Sequence, residues 1–367
     1  MFYKTFYKTN PYVNYTVNSV YQNSPIPEAH AISEKTTVRI TDNAFTTPKE
    51  YLVQSLTHWL NDATVWLEKN PNPYTSYNIP KASGGYRTIT APHDVLKNYQ
   101  KQICGILIQL GATAHNCAYA YELHRTCKDA LIKHQSHASK WFYKFDIKDF
   151  FPSCTEEVLM DTLSNVYPFC KLDTATLIKL IYVATHPLKY LPQGSPLSPL
   201  LSNMVLTSFD FIMYYSVRTF NGVYTRYADD ILISTPTKHE LNFIQHIVNK
   251  HLKETSSKFR LNTDKARCGA REGSNWNLGL MLNKDNKITI GHKKKLELKA
   301  KLNNFIFDFT NHKYWSIIDT QVLQGQINYF KTIEPEYATF VIKRLEQKYN
   351  HQYTLAQMFS AIITGRV

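Results

Sequence analysis

Cysteine is scarce in this chain, with six in 367 residues, at positions 104, 117, 127, 154, 170 and 268. A disulfide scaffold needs a denser set. No two of these cysteines form a C-x-x-C, which excludes a zinc ribbon of ordinary spacing. His115, Cys117, His124 and Cys127 lie close together but fit no common zinc pattern, so buried apolar thiols are the expectation. Acid is also in short supply: Asp+Glu is 29 against 42 Lys+Arg, a formal charge of +13. Long apolar runs are missing too. No stretch approaches the ~18 residues of a membrane-spanning helix. The start, Met1-Phe2-Tyr3-Lys4-Thr5-Phe6, lacks the unbroken apolar stretch of a secretory signal. A soluble, cytoplasmic protein with no membrane partner is expected. Internal repeats and low-complexity linkers are absent as well.

What is present is a large hydrophobic fraction, 43%, and 13% aromatics with 25 Tyr and 19 Phe. The first rules out wholesale disorder. Aromatic rings among surplus cations suit a surface that stacks bases and holds phosphates. Coding bias also enriches Asn, Lys and Tyr, so charge alone leaves the partner open.

Residues 1–45 are polar, Tyr- and Asn-rich and weakly periodic, and read as an extension. Thr47, Pro48 and Glu50 then form a capping box with proline at the first helical position. Leu52, Val53, Leu56, Trp59, Leu60, Ala63 and Leu67 follow at helical spacing, up to Asn70-Pro71. Tyr77–Lys81 and Tyr86–Thr90 flank Gly84-Gly85, a hairpin signal. Val95 to Leu110 reads as an amphipathic helix and Trp141 to Ile147 as a strand. Glu156 to Val166 reads as a helix capped from Ser153. A loop at 192–194 precedes one long helical run from Ser198 to Arg218. Tyr224 to Ser234 reads as a hairpin with two acids at its bend, Leu241 to Leu252 as a helix. From Lys293 a basic helix opens, with two more helical stretches behind it.

Three carboxylates stand out. Asp146 ends the strand Phe142–Phe145, and Asp229-Asp230 sit between the apolar runs Tyr224–Tyr227 and Ile231–Ile233. Like charges in apolar surroundings are costly unless a cation relieves them. Carboxylates on neighbouring strands can hold two Mg²⁺ ions about 3.5–4 Å apart, an arrangement that promotes attack by a 3′-hydroxyl and departure of pyrophosphate.

Lys144-Phe145-Asp146-Ile147-Lys148-Asp149-Phe150-Phe151, then Leu191-Pro192-Gln193-Gly194-Ser195-Pro196-Leu197-Ser198-Pro199, then Tyr227-Ala228-Asp229-Asp230 resemble, in order and spacing, motifs A, B and C of a reverse transcriptase. The resemblance is to the bacterial branch of retron, group II intron-like and phage-defence enzymes. The Lys81–Arg87 hairpin resembles the fingers motif and Asn262-Thr263-Asp264-Lys265 motif D. Leu278-Gly279-Leu280 resembles the primer grip, and Leu323-Gln324-Gly325 with Asn328-Tyr329-Phe330 a thumb motif. Asp129-Ala130 with His134 departs by one residue from the Asn-Ala-x-x-His element of retron enzymes.

The resemblance implies an α+β right-hand polymerase fold: an extension (1–45), fingers and a palm with an antiparallel sheet (46–290), and a helical thumb (291–367). It implies that Asp146, Asp229, Asp230 and the carbonyl of Ile147 ligate two Mg²⁺ ions, replaceable by Mn²⁺. Lys81 and Arg87 would grip the triphosphate, Gln193 would shape the nucleotide pocket, and Lys265 would act as a general acid near the pyrophosphate. Phe151 takes the sugar-gate position. Its ring offers a 2′-hydroxyl no hydrogen bond and crowds it, so deoxynucleotides are the expected substrate. Leu278, Gly279, Lys293, Lys294 and Lys295 would contact nucleic acid. The implied function is RNA-directed DNA polymerisation copying an associated, structured non-coding RNA, in anti-phage defence. The partners would be that RNA template, the RNA–DNA hybrid product, dNTPs and a toxin or effector encoded nearby; oligomeric state is left open. The alternatives are a retron enzyme making multicopy single-stranded DNA and an intron maturase-like RNA-binding protein.

Overall fold

The computed structural model describes residues 47–81, 84–137, 139–271, 279–349 and 352–366. The extension at 1–45 lies outside them. The first helix, α1 (Pro48–Lys69), begins as its sequence dictates. Thr47 accepts from the Glu50 amide, Glu50 accepts from the Thr47 amide, and Leu56, Leu60, Ala63 and Leu67 are buried. Strands β1 (Tyr74–Pro80) and β2 (Tyr86–Pro92) pair antiparallel, closed by Gly84 and Gly85, both at positive φ. Helix α2 (Asp94–Gln109) follows, then α3 (Cys127–Ser136).

The central sheet is antiparallel, in the order β4-β5-β3-β6. Its strands are β3 (Trp141–Asp146), β4 (Val223–Tyr227), β5 (Asp230–Thr235) and β6 (Arg267–Ala270). Alternation along β3 sends its side chains to two different cores. Tyr143 and Phe145 join the main core beneath the sheet. Phe142 joins a second cluster with Leu131, Leu232, Leu280, Leu282, Ile290, Phe330 and Ile333. The main core is completed by helices α5 (Glu156–Leu163), α6 (Thr174–Thr185), α7 (Leu197–Val205), α8 (Thr207–Arg218) and α9 (Leu241–Thr255), with the short α4 (Phe150–Ser153) following β3.

A two-residue ladder, β7 (Met281–Leu282) with β8 (Ile288–Thr289), leads to four helices: α10 (His292–Thr310), α11 (Ile317–Ile333), α12 (Pro335–Lys348) and α13 (Leu355–Thr364). These have a core of their own, built on Phe305, Leu323, Val341, Met358 and Phe359. The Phe142 cluster joins them to the sheet.

Several local expectations need correction. The N-cap of α5 is Thr155, which accepts from the Val158 amide; Ser153 is instead the last residue of α4. The run from Ser198 to Arg218 is two helices, because Leu206 leaves helical geometry at φ −90°, ψ 6°. Three helices, not two, follow the basic one. Only Cys117 and Cys154 are buried, whereas Cys170 and Cys268 are exposed. No helix among the described residues is long and apolar enough to cross a membrane.

Candidate active site

The register of β3 and β5 sets Asp146 directly opposite Asp230. Asp229 is in the two-residue turn between β4 and β5, where Tyr227 pairs with Asp230. The Asp229 carbonyl accepts from the Ile147 amide at 3.1 Å, so motifs A and C are bonded through their backbones at the catalytic end. The three acids are not equivalent. Burial, then Asp146 and Asp230, push the Asp229 carboxyl up to about 6. Asp146 is 8% exposed and accepts from the Lys265 ammonium at 2.9 Å, which raises the lysine and keeps it charged. Asp230 is held by Lys144 at 2.9 Å, a residue two places before Asp146 on the same face of β3. The motif D segment closes over Asp146 through the Asn262 amide, which donates to the Asp146 carbonyl at 2.8 Å.

The catalytic turn rests on a group the sequence reading passed over. Ala228 has φ +56°, a conformation that turns of this kind usually give to glycine and that costs an L-residue roughly 1–2 kcal/mol. Arg226 holds it there, donating to the Ala228 carbonyl at 2.9 Å and to Asn203 Oδ1 at 3.0 Å. The same guanidinium forks onto Asp210, at 2.8 Å to one oxygen and 2.6 Å to the other. Both side chains are completely buried, and Tyr224 completes the network by donating to Asp210. One signal in the sequence pointed here. An arginine inside an apolar strand must find a carboxylate, because an unpaired buried charge costs several kcal/mol.

The loop that carries Gln193 approaches strand β2 closely. The Thr90 amide of β2 donates to the Gln193 carbonyl at 2.7 Å. Gly194 follows at φ +126°, and a Cβ there would lie 2.9 Å from the Thr90 carbonyl oxygen, so only glycine fits. Behind it Ser195 donates to the buried Gln100, which donates in turn to Tyr74 and to the Val183 carbonyl. Arg87 is exposed on β2. Its charge is felt at Tyr121, a hydroxyl raised chiefly by burial and next by Asp229. Tyr121 is thus within electrostatic reach of both Arg87 and Asp229, a proximity that sequence reading missed because its loop carries no periodic signal. Lys81 is exposed at the hairpin end, its amide bonded to the Gly85 carbonyl. Phe150 is buried, while Phe151 is half-buried beside it with ring centroids 5.7 Å apart.

Of the expected nucleic-acid contacts, Leu278 lies outside the described residues. Gly279, at φ +86°, has the Lys294 ammonium directly against its α-carbon. Lys293 is exposed. Lys295 is already engaged, by Glu334 and by the Tyr337 ring, its ammonium 4.6 Å from the centroid.

The donor set suits a hard divalent cation: two oxygen-only carboxylates, Asp146 and Asp229, in mutual repulsion beside a backbone strand. Among the described residues no three His, Cys, Asp or Glu side chains form a ready-made metal cage.

An antiparallel sheet presenting paired carboxylates at a strand end and a tight turn, flanked by a fingers hairpin and a helical thumb, is the layout of a template-directed polymerase. The family model described as reverse transcriptase (RNA-dependent DNA polymerase) matches residues 79–294, and the chain belongs to that family. Retron Ec73 reverse transcriptase of Escherichia coli is 28% identical over 303 residues, covering 77% of this chain and 88% of that protein. Retron Ec83 reverse transcriptase, also of Escherichia coli, is 29% identical over 295 residues, covering 78% and 91%. Among solved structures, telomerase from Candida tropicalis aligns over 84% of this chain and 68% of its own, with 11% identity and a TM-score of 0.43. A Candida albicans telomerase structure aligns over 83% of this chain and 59% of its own, with a TM-score of 0.42. The chain is an RNA-directed DNA polymerase of the retron-like bacterial branch, acts on an RNA template, and shares its family's dependence on divalent metal.

Proposed function

We propose that the protein copies an associated, structured non-coding RNA into DNA from dNTPs, using two Mg²⁺ ions, in the cytoplasm and in anti-phage defence. A nearby-encoded effector would act on or with the product. The observation that carries the catalytic part is the Asp146–Asp230 register with Asp229 in the adjoining turn. Asp146, Asp229 and the Ile147 carbonyl would hold the metals, with Asp230, tied to Lys144, the peripheral member. When bound, the metals supply a more acidic 3′-hydroxyl and a neutralised pyrophosphate. The chain's own groups do the rest. Lys81 and Arg87 bind the triphosphate as point charge and planar fork. Gln193, pinned by its carbonyl to β2, shapes the base pocket. Phe151 excludes a 2′-hydroxyl. Lys265, held protonated by Asp146, has a proton to give a leaving phosphate oxygen. Residues 46–290 serve as fingers and palm, with Gly279 towards the template–primer, and 291–367 as thumb, with Lys293 and Lys294 towards it.

The similarity to two retron reverse transcriptases supports a second reading, in which the product is multicopy single-stranded DNA. The catalytic proposal is tested with the double variant Asp229→Ala, Asp230→Ala on an RNA template with a DNA primer. Incorporation should vanish while RNA affinity and the melting temperature persist. Incorporation at the unmutated rate would refute the assignment.

A further inference from the structure

Helices α10 and α12 enclose a groove of about 420 Å³ on the surface of the thumb. Tyr337, Phe340, Arg344 and Lys348 line it from α12, spaced so that they share one face. Lys299 and Asn303, one turn apart, line it from α10. Ala338, Val341, Ile342 and Leu345 of α12 are buried, and Val341 and Leu345 also line the groove, whereas Tyr337, Phe340, Arg344 and Lys348 are exposed and take no part in the thumb core.

Two properties of this face call for an occupant. First, it is cationic without compensation: no carboxylate lines it, and among the described residues Lys299 and Arg344 make no ion pair or hydrogen bond. Second, it displays aromatic rings to water: Phe340 is 56% exposed and Tyr337 41%. Their centroids are 6.5 Å apart and their planes inclined by 32°. Lys348 spans the groove, donating to Asn303 Oδ1 at 3.0 Å, and the Lys295 ammonium lies over the Tyr337 ring.

Cations with exposed rings match a ligand that is anionic along its length and offers flat apolar faces. Unpaired nucleotides have both properties, phosphates for Lys299 and Arg344 and bases for Phe340 and Tyr337. A duplex offers phosphates but keeps its base faces stacked inside, so it leaves Phe340 unused. We propose that the α10–α12 groove binds a single-stranded segment of the partner RNA, separately from the template–primer at the catalytic carboxylates. This rests on the RNA-partnered reading above and gives that partner a second point of attachment.

The test uses the full chain, a fluorescein-labelled oligouridine carrying 5-iodouridine, a blunt RNA duplex, and phosphatidylglycerol vesicles. Phe340→Ala should weaken oligouridine binding roughly fivefold to a hundredfold, the range for one lost base stack, and Phe340→Trp should restore it. Duplex affinity should not change in either variant. Arg344→Gln should reduce the slope of log K against log[salt] by roughly 0.7, one single-strand phosphate contact. Photocrosslinks should map to the α12 peptide. Unchanged oligouridine affinity in a Phe340→Ala protein that melts like the unmutated one would overturn the proposal. So would crosslinks confined to the palm, or a preference for vesicles over oligouridine. Primer extension by the unmutated chain is measured alongside; its absence would count against the polymerase mechanism and leave the groove result to stand or fall alone.

Discussion

Arg226 shows how much a single buried charge can organise. Its fork satisfies Asp210, and its other amino group fixes the Ala228 carbonyl, so the position of Asp229 depends on an ion pair one layer below it. Removing one partner of such a pair strands the other. Arg226→Met should cost roughly 3–5 kcal/mol in denaturant unfolding. Arg226→Lys keeps the charge but loses the planar fork, and should lower the incorporation rate more than the affinity for template–primer; single-turnover kinetics separates the two. The role proposed for Phe151 is exclusion rather than contact. Phe151→Val should admit ribonucleotides, read as the ratio of rNTP to dNTP incorporation efficiency. Equal use of both by the unmutated enzyme would contradict the gate.

At the scale of elements, His134 pins α3 to the sheet. Its ring bonds Ser234 of β5 at 2.6 Å and Thr225 of β4 at 2.8 Å, with the Phe142 ring 5.6 Å away. Burial, with a smaller contribution from His137, lowers its pKa to about 3. The folded state therefore holds the ring neutral. Its contribution to stability is complete above the ordinary histidine value near 6.5 and is lost as pH falls from there towards 3, by at most about 1.4 kcal/mol per pH unit. Urea unfolding at pH 7 and pH 5 should show the loss, and His134→Gln should flatten it. An equal pH dependence in both proteins would rule His134 out as its source. The elements themselves were largely legible. Capping residues marked α1, and β-prone runs around Gly84-Gly85 marked the hairpin. The break at Leu206 was not legible, because neither proline nor glycine marks it and Val205, Leu206 and Phe209 around it are all buried.

Over the whole molecule, the surplus of +13 is not uniformly available to a polyanion. Lys293 and Lys294 are exposed, but Lys295 is spent on Glu334, whose carboxylate also accepts from the Thr289 hydroxyl and the Ile290 amide. Reversing Lys293 and Lys294 to Glu should weaken duplex binding and flatten its salt dependence by roughly 0.7–0.9 per lost phosphate contact. Lys295→Glu should instead lower the melting temperature, since it puts two acids together where the thumb meets β8. Filter binding over a salt series and thermal melting distinguish the two outcomes.

The sequence by itself determined the chemistry of this protein. Asp146, Asp229-Asp230, the Pro-Gln-Gly loop and Phe151 lie in short, ordered motifs within the stretch that the reverse transcriptase family model matches. Alternating and helical periodicities likewise marked most of the elements that carry them. Tertiary structure decided what depends on contacts between distant segments. It set Asp210 under Arg226, left Asp230 to Lys144 and Asp146 to Lys265, required glycine at 194 by bringing β2 against it, and tied Lys295 to Glu334. Such pairings join residues far apart in the chain, where no local period or propensity records them.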